Sequence, residues 1–457
     1  MNRIALRSGI AFFLILVLLA GLGFFVFEYV TQADRWVVFP GSPHVYNGGN
    51  IGCGIITDRD GVMLLDLSDS RTYAQAEALR RSTVHWLGDR KGSISAPALS
   101  HYAAELTGYD LVNGVYSYGK AGGTAKLTLS SKVQEAALKA MGKYKGTLGV
   151  YNYKTGELIC AVTTPTLDPD NLPNLENDTS GQFEGVYVNR FTQSAYIPGS
   201  IFKIVTLAAA LESIPDIMQQ KFVCKGTYEI DNDKVTCEDK HYTQDVKMAF
   251  RNSCNCAFAQ IAQQLGEETL MRYVEQFGVT QSVCFDGITT AKGNFNIAGA
   301  SQYSIAWSGV GQHTDLINPC SFMTFVGAIA ADGKGVAPHL VAQITSDGVT
   351  SYWGQTKNQS RIMSVNTAQT LQEFMGFNVS DKYGSKNFPG LTVCAKTGTA
   401  EVGGGKKPNA MLAGYVEDET YPVAFIVAVE DAGYGREICI PIISEVLQVY
   451  KSVIDGK

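Results

Sequence analysis

Charged residues are scarce in this chain. They make up 18% of its 457 residues, against about 25% in ordinary soluble domains. No long run of Lys or Arg occurs, and the formal net charge is −6. A mildly acidic chain without a basic stripe gives no footing for nucleic acid. Only one long apolar run is present, which excludes a channel or transporter built from several spans. Internal repeats and low-complexity tracts are missing as well. The ten cysteines have no clustered histidines beside them. Cys254 and Cys256 stand two apart with Asn255 between, a spacing that does not suggest zinc.

What the chain does have begins at its N-terminus. Arg3 and Arg7 precede an uncharged, strongly apolar stretch over 8–27. About 20 such residues cross the bilayer core as one helix. The basic flank places residues 1–8 in the cytoplasm, 9–29 in the membrane and the remainder outside. A cleaved signal peptide is the competing reading, but the run is longer than a usual signal core and 28–33 is a poor cleavage site. An outside location permits disulfides. Cys224 and Cys237 flank a turn-like segment, 229–234, and could staple a hairpin. Ten reduced, buried cysteines is the other reading, and both stand.

With 45% hydrophobic residues the chain can bury one large core and a smaller unit. Strand-like runs at 54–57 and 62–67 bracket the turn Asp58-Arg59-Asp60-Gly61, followed by helical patterns over 72–81 and 96–106. The loop Gly119-Lys120-Ala121-Gly122-Gly123 marks a boundary. This divides the outside part into a small unit, 30–123, and a larger one, 124–457. In the larger unit Ser130 is placed to cap a helix through Val133, Ala136, Leu138 and Met141. Strands at 147–153 and 158–164 follow, then a long helical middle over 202–383. Strands at 391–395, 410–416 and 422–429 and a helix over 438–454 close the chain. Strands at both ends of a helical middle predict one mixed sheet flanked by helices, an α/β (α+β) architecture.

Three short segments carry chemistry. In Tyr196-Ile197-Pro198-Gly199-Ser200-Ile201-Phe202-Lys203 the Pro-Gly pair interrupts the chain before an apolar helix. Ser200 thus sits at a helix start with Lys203 one turn on, sharing its face. A serine hydroxyl becomes a nucleophile when a base takes its proton, and burial or a nearby cation makes a lysine neutral enough to serve. Backbone N–H groups at the helix start can hold an oxyanion. Next, Ser253-Cys254-Asn255 offers a hydroxyl and an amide from a short connection between helices. Third, Lys396-Thr397-Gly398-Thr399 closes the alternating strand 391–395. A cation there can hold a substrate carboxylate with threonine hydroxyls as partners. Gly398 lets another backbone approach, and the strand edge can pair with an extended peptide.

Each pattern is weak alone, and decoys exist. Ser117-Tyr118-Gly119-Lys120 runs into glycines and reads as loop. Ser364-Val365-Asn366 reads as a helix cap, Ser385-Lys386-Asn387 as loop, and Lys154-Thr155-Gly156 as a hairpin tip. The order is more telling. Ser200, Ser253 and Lys396 follow one another in one unit, at a helix start, an interhelical connection and a strand end.

In that order the motifs resemble those of the penicillin-binding transpeptidases, specifically the class B, monofunctional type. The likeness covers about Leu127 to the end. Ser130-Ser131-Lys132-Val133-Gln134-Glu135-Ala136-Ala137 looks like the family's domain-opening helix. Asn189-Arg190-Phe191 precedes the serine at the usual distance. Gly311-Gln312-His313 with Ile317-Asn318-Pro319 looks like the family's Gly-Gln-Gly and Val-Thr-Pro stretch, and 54–61 like the pedestal signature near the anchor. Cys53 stands where that signature has arginine, and His313 where the family has glycine. The pedestal is short, which fits the small class B proteins of Gram-positive bacteria. No glycosyltransferase domain fits before Leu127, unlike the bifunctional class A type.

The resemblance implies a β-lactamase-like transpeptidase fold and a peptidoglycan D,D-transpeptidase working through a Ser200 acyl-enzyme, with β-lactams as inhibitors. It implies Lys203 as base, Ser253 as proton relay, Asn255 as positioning group, and Lys396, Thr397, Gly398 and Thr399 as the substrate-binding strand. Backbone N–H groups of Ser200 and Thr399 form the oxyanion hole. No metal and no cofactor is required. Partners are stem peptides, their lipid-linked precursor and a SEDS-type glycosyltransferase, with no nucleic acid. A β-lactamase or a D,D-carboxypeptidase using the same residues is the enzyme alternative. A β-lactam sensor or scaffold is the non-enzyme one.

Overall fold

The computed structural model describes residues 2–39, 45–47, 50–68, 70–109, 111, 122–175, 178–346 and 348–456. The first element is a helix, Asn2–Val37. Within Arg3–Ala33 an 18-residue window reaches a mean hydropathy of 3.0, and none of that window is buried inside the protein. It is long and apolar enough to cross a membrane.

Five antiparallel strands form the central sheet, in the order Val393–Ala400, Asn409–Val416, Val423–Glu430, Lys145–Asn152, Leu158–Thr164. Its inner strands read as continuous apolar runs, such as Val-Ala-Phe-Ile-Val-Ala-Val from Val423, because both faces are covered. Against one face lie the helices Ser131–Met141 and Gly435–Ile454, where Val133, Val446 and Leu447 meet Leu148, Val150 and Val427. Against the other lie Lys203–Ser213, Asn255–Gln276 and Pro319–Ala330, where Leu207, Phe258 and Phe322 share a core with Met411 and Ile426. The sheet joins segments more than 200 residues apart, as strands at both ends of the unit require.

The middle of the chain is less helical than its sequence suggests. Between the helices lie the antiparallel strand pairs Lys221–Cys224 with Tyr242–Asp245, Thr227–Ile230 with Asp233–Thr236, and Lys334–Ala337 with Lys357–Arg361. These strands have four or five residues and mostly exposed side chains, too short and too wet for a period-two pattern to stand out.

A second, six-stranded sheet runs Val349–Trp353, Val341–Ser346, Thr124–Leu127, Ile55–Thr57, Met63–Asp66, Thr72–Tyr73. The boundary expected after residue 123 therefore falls inside a sheet. Thr124–Leu127 pairs in parallel with Ile55–Thr57 and antiparallel with Val341–Ser346. Residues 119–121, and the Ser117–Lys120 decoy, lie outside the described residues.

The other differences are local. The helix expected over 72–81 starts later, at Glu77–Leu87, after the strand Thr72–Tyr73. That over 96–106 breaks at Tyr102 into Pro97–His101 and Ala103–Thr107. Ser130 occupies the cap position of Ser131–Met141, but its hydroxyl has no hydrogen-bond partner among the described residues. The buried Asp58 caps that helix instead. Its Oδ2 accepts from Ser131 N at 3.0 Å, while Oδ1 accepts from the Asp60 and Val62 amides at 2.8 Å.

Candidate active site

Ser200 lies in a single 3₁₀ turn, Gly199–Phe202, that runs into the helix Lys203–Ser213. Gly199 has a φ of +54° there, and a Cβ at its position would lie 2.5 Å from the Thr399 carbonyl oxygen. Glycine alone lets the serine turn press against the strand Val393–Ala400. Gly398 admits the approach from the other side, since a Cβ on it would sit 2.9 Å from the Pro198 carbonyl. The backbone that Gly398 makes room for is thus the protein's own serine turn.

Lys203 is fully buried on the first turn of its helix. Its Nζ lies 2.9 Å from Ser200 Oγ, 2.7 Å from the Ser253 carbonyl oxygen, 3.2 Å from Ser253 Oγ and 2.7 Å from Asn255 Oδ1. Burial draws its pKa down to about 8, because removal from water disfavours the charged form. Ser253 and Asn255 reach it from the connection between the helices Val246–Asn252 and Asn255–Gln276. Ser253 adopts a left-handed φ of +57°, uncommon for a residue with a side chain. That turn brings both its carbonyl and its hydroxyl to Lys203.

Lys396 is also fully buried. Its Nζ donates to Ser253 Oγ at 2.9 Å and to the Thr397 carbonyl at 3.0 Å. Burial first, then the Lys203 and Lys382 cations, hold its pKa well below the usual lysine range. The Ser253 hydroxyl oxygen is therefore shared by two amines, which links the three motifs through one atom.

Lys396 does not close its strand. The strand runs on through Thr397, Gly398 and Thr399 to Ala400 and forms one edge of the central sheet. On that outer edge Asn378 Nδ2 donates to the Ala395 carbonyl, and the Thr397 amide and hydroxyl each lie 3.1 Å from Tyr383 OH. Strand N–H groups alternate sides, so the Thr399 amide points to the same edge, beside the serine turn.

Ser200, Ser253, Asn255, Thr397 and Thr399 line one cleft of about 780 Å³, together with Lys382, Tyr383, His313 and Arg436. A larger depression, about 980 Å³ beside Lys143 and Glu430, contains neither Ser200 nor Lys203. All the residues singled out by sequence thus converge, with Lys396 behind the cleft wall. Tyr383, Lys382 and Arg436 were not singled out; they lie in a π-helical turn, Asn378–Tyr383, and at the start of the last helix, with no motif around them. His313 has a φ of +75°, a conformation that glycine adopts without strain. The decoys fall elsewhere. Lys154-Thr155-Gly156 is a hairpin tip with Lys154 paired to Glu419, Ser364 caps the helix Val365–Phe377, and Ser385–Asn387 is a 3₁₀ turn.

Comparison with known proteins bears on this geometry. The family described as "Penicillin binding protein transpeptidase domain" matches residues 146–448. The chain belongs to the penicillin-binding protein transpeptidase family. Its relatives in that family include the peptidoglycan D,D-transpeptidase PbpA of Mycolicibacterium smegmatis, 26% identical over 341 residues that cover 68% of each protein. Stage V sporulation protein D of Bacillus subtilis is 29% identical over 303 residues, covering 63% of this chain and 45% of the relative. Among solved penicillin-binding transpeptidase structures, the D,D-transpeptidase domain of an Eggerthella lenta peptidoglycan glycosyltransferase superposes with a TM-score of 0.76 at 25% identity. It covers 88% of this chain and 98% of the other. Penicillin-binding protein A of M. tuberculosis, solved as an imipenem acyl-enzyme, gives a TM-score of 0.76 at 23% identity, covering 87% and 98%.

Proposed function

We propose that this chain is a class B peptidoglycan D,D-transpeptidase that cross-links stem peptides through an acyl-enzyme on Ser200 and is inactivated by β-lactams. One observation carries the reading. Lys203 Nζ lies 2.9 Å from Ser200 Oγ and is held by Ser253 and Asn255, behind the cleft that Ser200, Ser253 and Asn255 line beside a sheet edge.

Lys203, as the neutral amine, takes the Ser200 proton while Oγ attacks the carbonyl of the penultimate D-Ala. The Ser200 and Thr399 amides hold the oxyanion; losing one such donor costs about 10²–10³ in rate. The C–N bond then breaks. The proton passes by way of Ser253 Oγ to the departing D-Ala amine, with Asn255 fixing Lys203. Thr397 and Thr399 hydroxyls bind the terminal carboxylate, with the Lys396 amine behind them and Lys382 and Arg436 at the mouth. An amine of a neighbouring stem attacks the ester and restores Ser200. A β-lactam follows the same first step, but its ring-opened acyl group leaves slowly. These roles require no metal or cofactor.

The N-terminal helix anchors the protein in the plasma membrane by a single pass, with residues 1–8 cytoplasmic and the catalytic unit outside. The anchor and the pedestal, residues 30–123, are the surfaces offered to a SEDS-type glycosyltransferase and its lipid-linked product. The decisive experiment uses the purified full chain with lipid-linked stem peptide and a fluorescent penicillin. Cross-linked dimer and penicillin labelling are expected, and both vanish in Ser200→Ala. Labelling retained by Ser200→Ala would remove this assignment. Release of D-Ala without dimer would make the protein a carboxypeptidase, and rapid nitrocefin turnover a β-lactamase.

A further inference from the structure

We propose that Cys224, Cys237, His241 and Cys254 bind one zinc ion that braces the wall of the active-site cleft. Their spacing, Cys-x12-Cys-x3-His-x12-Cys, is too spread out to suggest a metal site. Folding closes it. Cys224 ends the strand Lys221–Cys224, Cys237 follows Asp233–Thr236, His241 precedes Tyr242–Asp245, and Cys254 is the cap residue of Asn255–Gln276. Three sulfurs and one ring nitrogen come to lie within 4.8 Å of one another.

The distances match a tetrahedron. Zinc bonds of about 2.3 Å to sulfur and about 2.0 Å to nitrogen put ligand sulfurs about 3.8 Å apart and sulfur and nitrogen about 3.5 Å apart. Here Cys237 Sγ lies 3.9 Å from Cys254 Sγ. His241 Nδ1 lies 3.5 Å from Cys237 Sγ and 3.6 Å from Cys224 Sγ. Three cysteines and a histidine form a closed donor set, which suits structural rather than catalytic zinc. A disulfide would join two of the sulfurs and leave a third thiol and the imidazole facing it. Binding exchanges the thiol protons for metal–sulfur bonds and releases them to solvent. The Cys224 thiol contact to the Asp239 carbonyl, at 3.4 Å, is given up. The Ala257 amide, 3.4 Å from Cys254 Sγ, stays as a donor to the bound sulfur.

The place of the cluster gives it a role. Cys254 stands between Ser253 and Asn255, whose groups hold Lys203. Cys237 and His241 line the cleft, and Asn255 Nδ2 donates to the Thr236 carbonyl at 2.9 Å. The strand pairs that carry or flank Cys224, Cys237 and His241 are two-stranded sheets, and such ribbons are marginal by themselves. Zinc would tie them to the helix start that carries Cys254.

The test is metal content of the purified full chain, prepared under reducing conditions with equimolar ZnCl2 and then desalted. About one zinc per chain is expected. Cobalt substitution should give the visible bands and sulfur charge-transfer absorption of a tetrahedral thiolate site. Cys224→Ser and His241→Ala should each weaken zinc retention by about tenfold or more, while Cys284→Ser, at an exposed cysteine outside the cluster, should not. Chelation should slow labelling by fluorescent penicillin about tenfold, and ZnCl2 should restore it. Several results would overturn the proposal. These are zinc-free protein with all ten thiols titratable, a disulfide within the cluster in place of metal, or equal loss of zinc in Cys284→Ser. Labelling unchanged by chelation would overturn the bracing role. Zinc stoichiometry does not depend on the transpeptidase assignment, so the two can fail separately.

Discussion

Lys396 Nζ donates to Ser253 Oγ at 2.9 Å across 143 positions of sequence. The same oxygen lies 3.2 Å from Lys203 Nζ. A single hydroxyl thus stands between two buried amines, each of which makes protonation of the other harder.

Removing that oxygen should separate chemistry from folding. Ser253→Ala is expected to slow penicillin acylation by about 10²–10³, within the range of a lost general acid–base group, with little change in Tm. Lys203→Arg keeps a cation but no usable base at neutral pH, and should lose at least as much. Stopped-flow acylation rates for the two variants decide; near-wild-type rates in either would contradict the assigned roles.

Gly199 should tolerate no side chain. Its Cβ would collide with the Thr399 carbonyl at 2.5 Å, so Gly199→Ala must lift the serine turn from the edge strand. A displacement of about 1 Å at a reacting centre costs on the order of 10² in rate. Acylation of Gly199→Ala is expected to fall by about that factor while circular dichroism stays native-like. A full-rate variant would show that the turn and the strand need not touch.

Asp58 should matter to stability and not to chemistry. It accepts from the Asp60, Val62 and Ser131 amides, joining a turn of the smaller sheet to the helix Ser131–Met141. Asp58→Ala leaves these donors unpaired and should destabilise by about 2–4 kcal/mol. Asp58→Asn, whose amide oxygen still accepts, should cost less. Thermal denaturation measures both, and acylation per folded molecule should match wild type.

Asp315 should make the protein less stable as pH rises. It is fully buried, and neither carboxyl oxygen has a hydrogen-bond partner among the described residues. Burial raises its pKa well above the carboxylate range, outweighing Ser308. The unfolded chain loses this proton near pH 4, whereas the fold keeps it, so stability falls as pH climbs through the window between the two values. Asp315→Asn removes that slope. Its Tm should match wild type near pH 4.5 and exceed it increasingly toward pH 8; parallel curves would refute the point.

The sequence was most informative where chemistry and local conformation coincide. Pro198-Gly199 before an apolar helix announced the serine turn, and the apolar runs from Leu391 onward announced the sheet. The short strand pairs around Cys224 and Cys237 were not legible, since four-residue strands with exposed side chains lack a readable period. Nor was Tyr383, whose bond to Thr397 depends on a π-helical turn. Asp58 replaced Ser130 as the cap because a carboxylate 73 residues away reaches Ser131 N, a tertiary contact that overrides local preference. The four ligands of the proposed zinc site were invisible for the same reason: each comes from a different element.

The smaller sheet has a practical corollary. Because Thr124–Leu127 is bonded on one side to Ile55–Thr57 and on the other to Val341–Ser346, trimming the protein to its catalytic half would strip a neighbour from a strand that belongs to that half. An unprotected strand edge invites association with other chains. A soluble form for crystallisation or screening should therefore be cut just beyond the apolar helix and keep everything that follows.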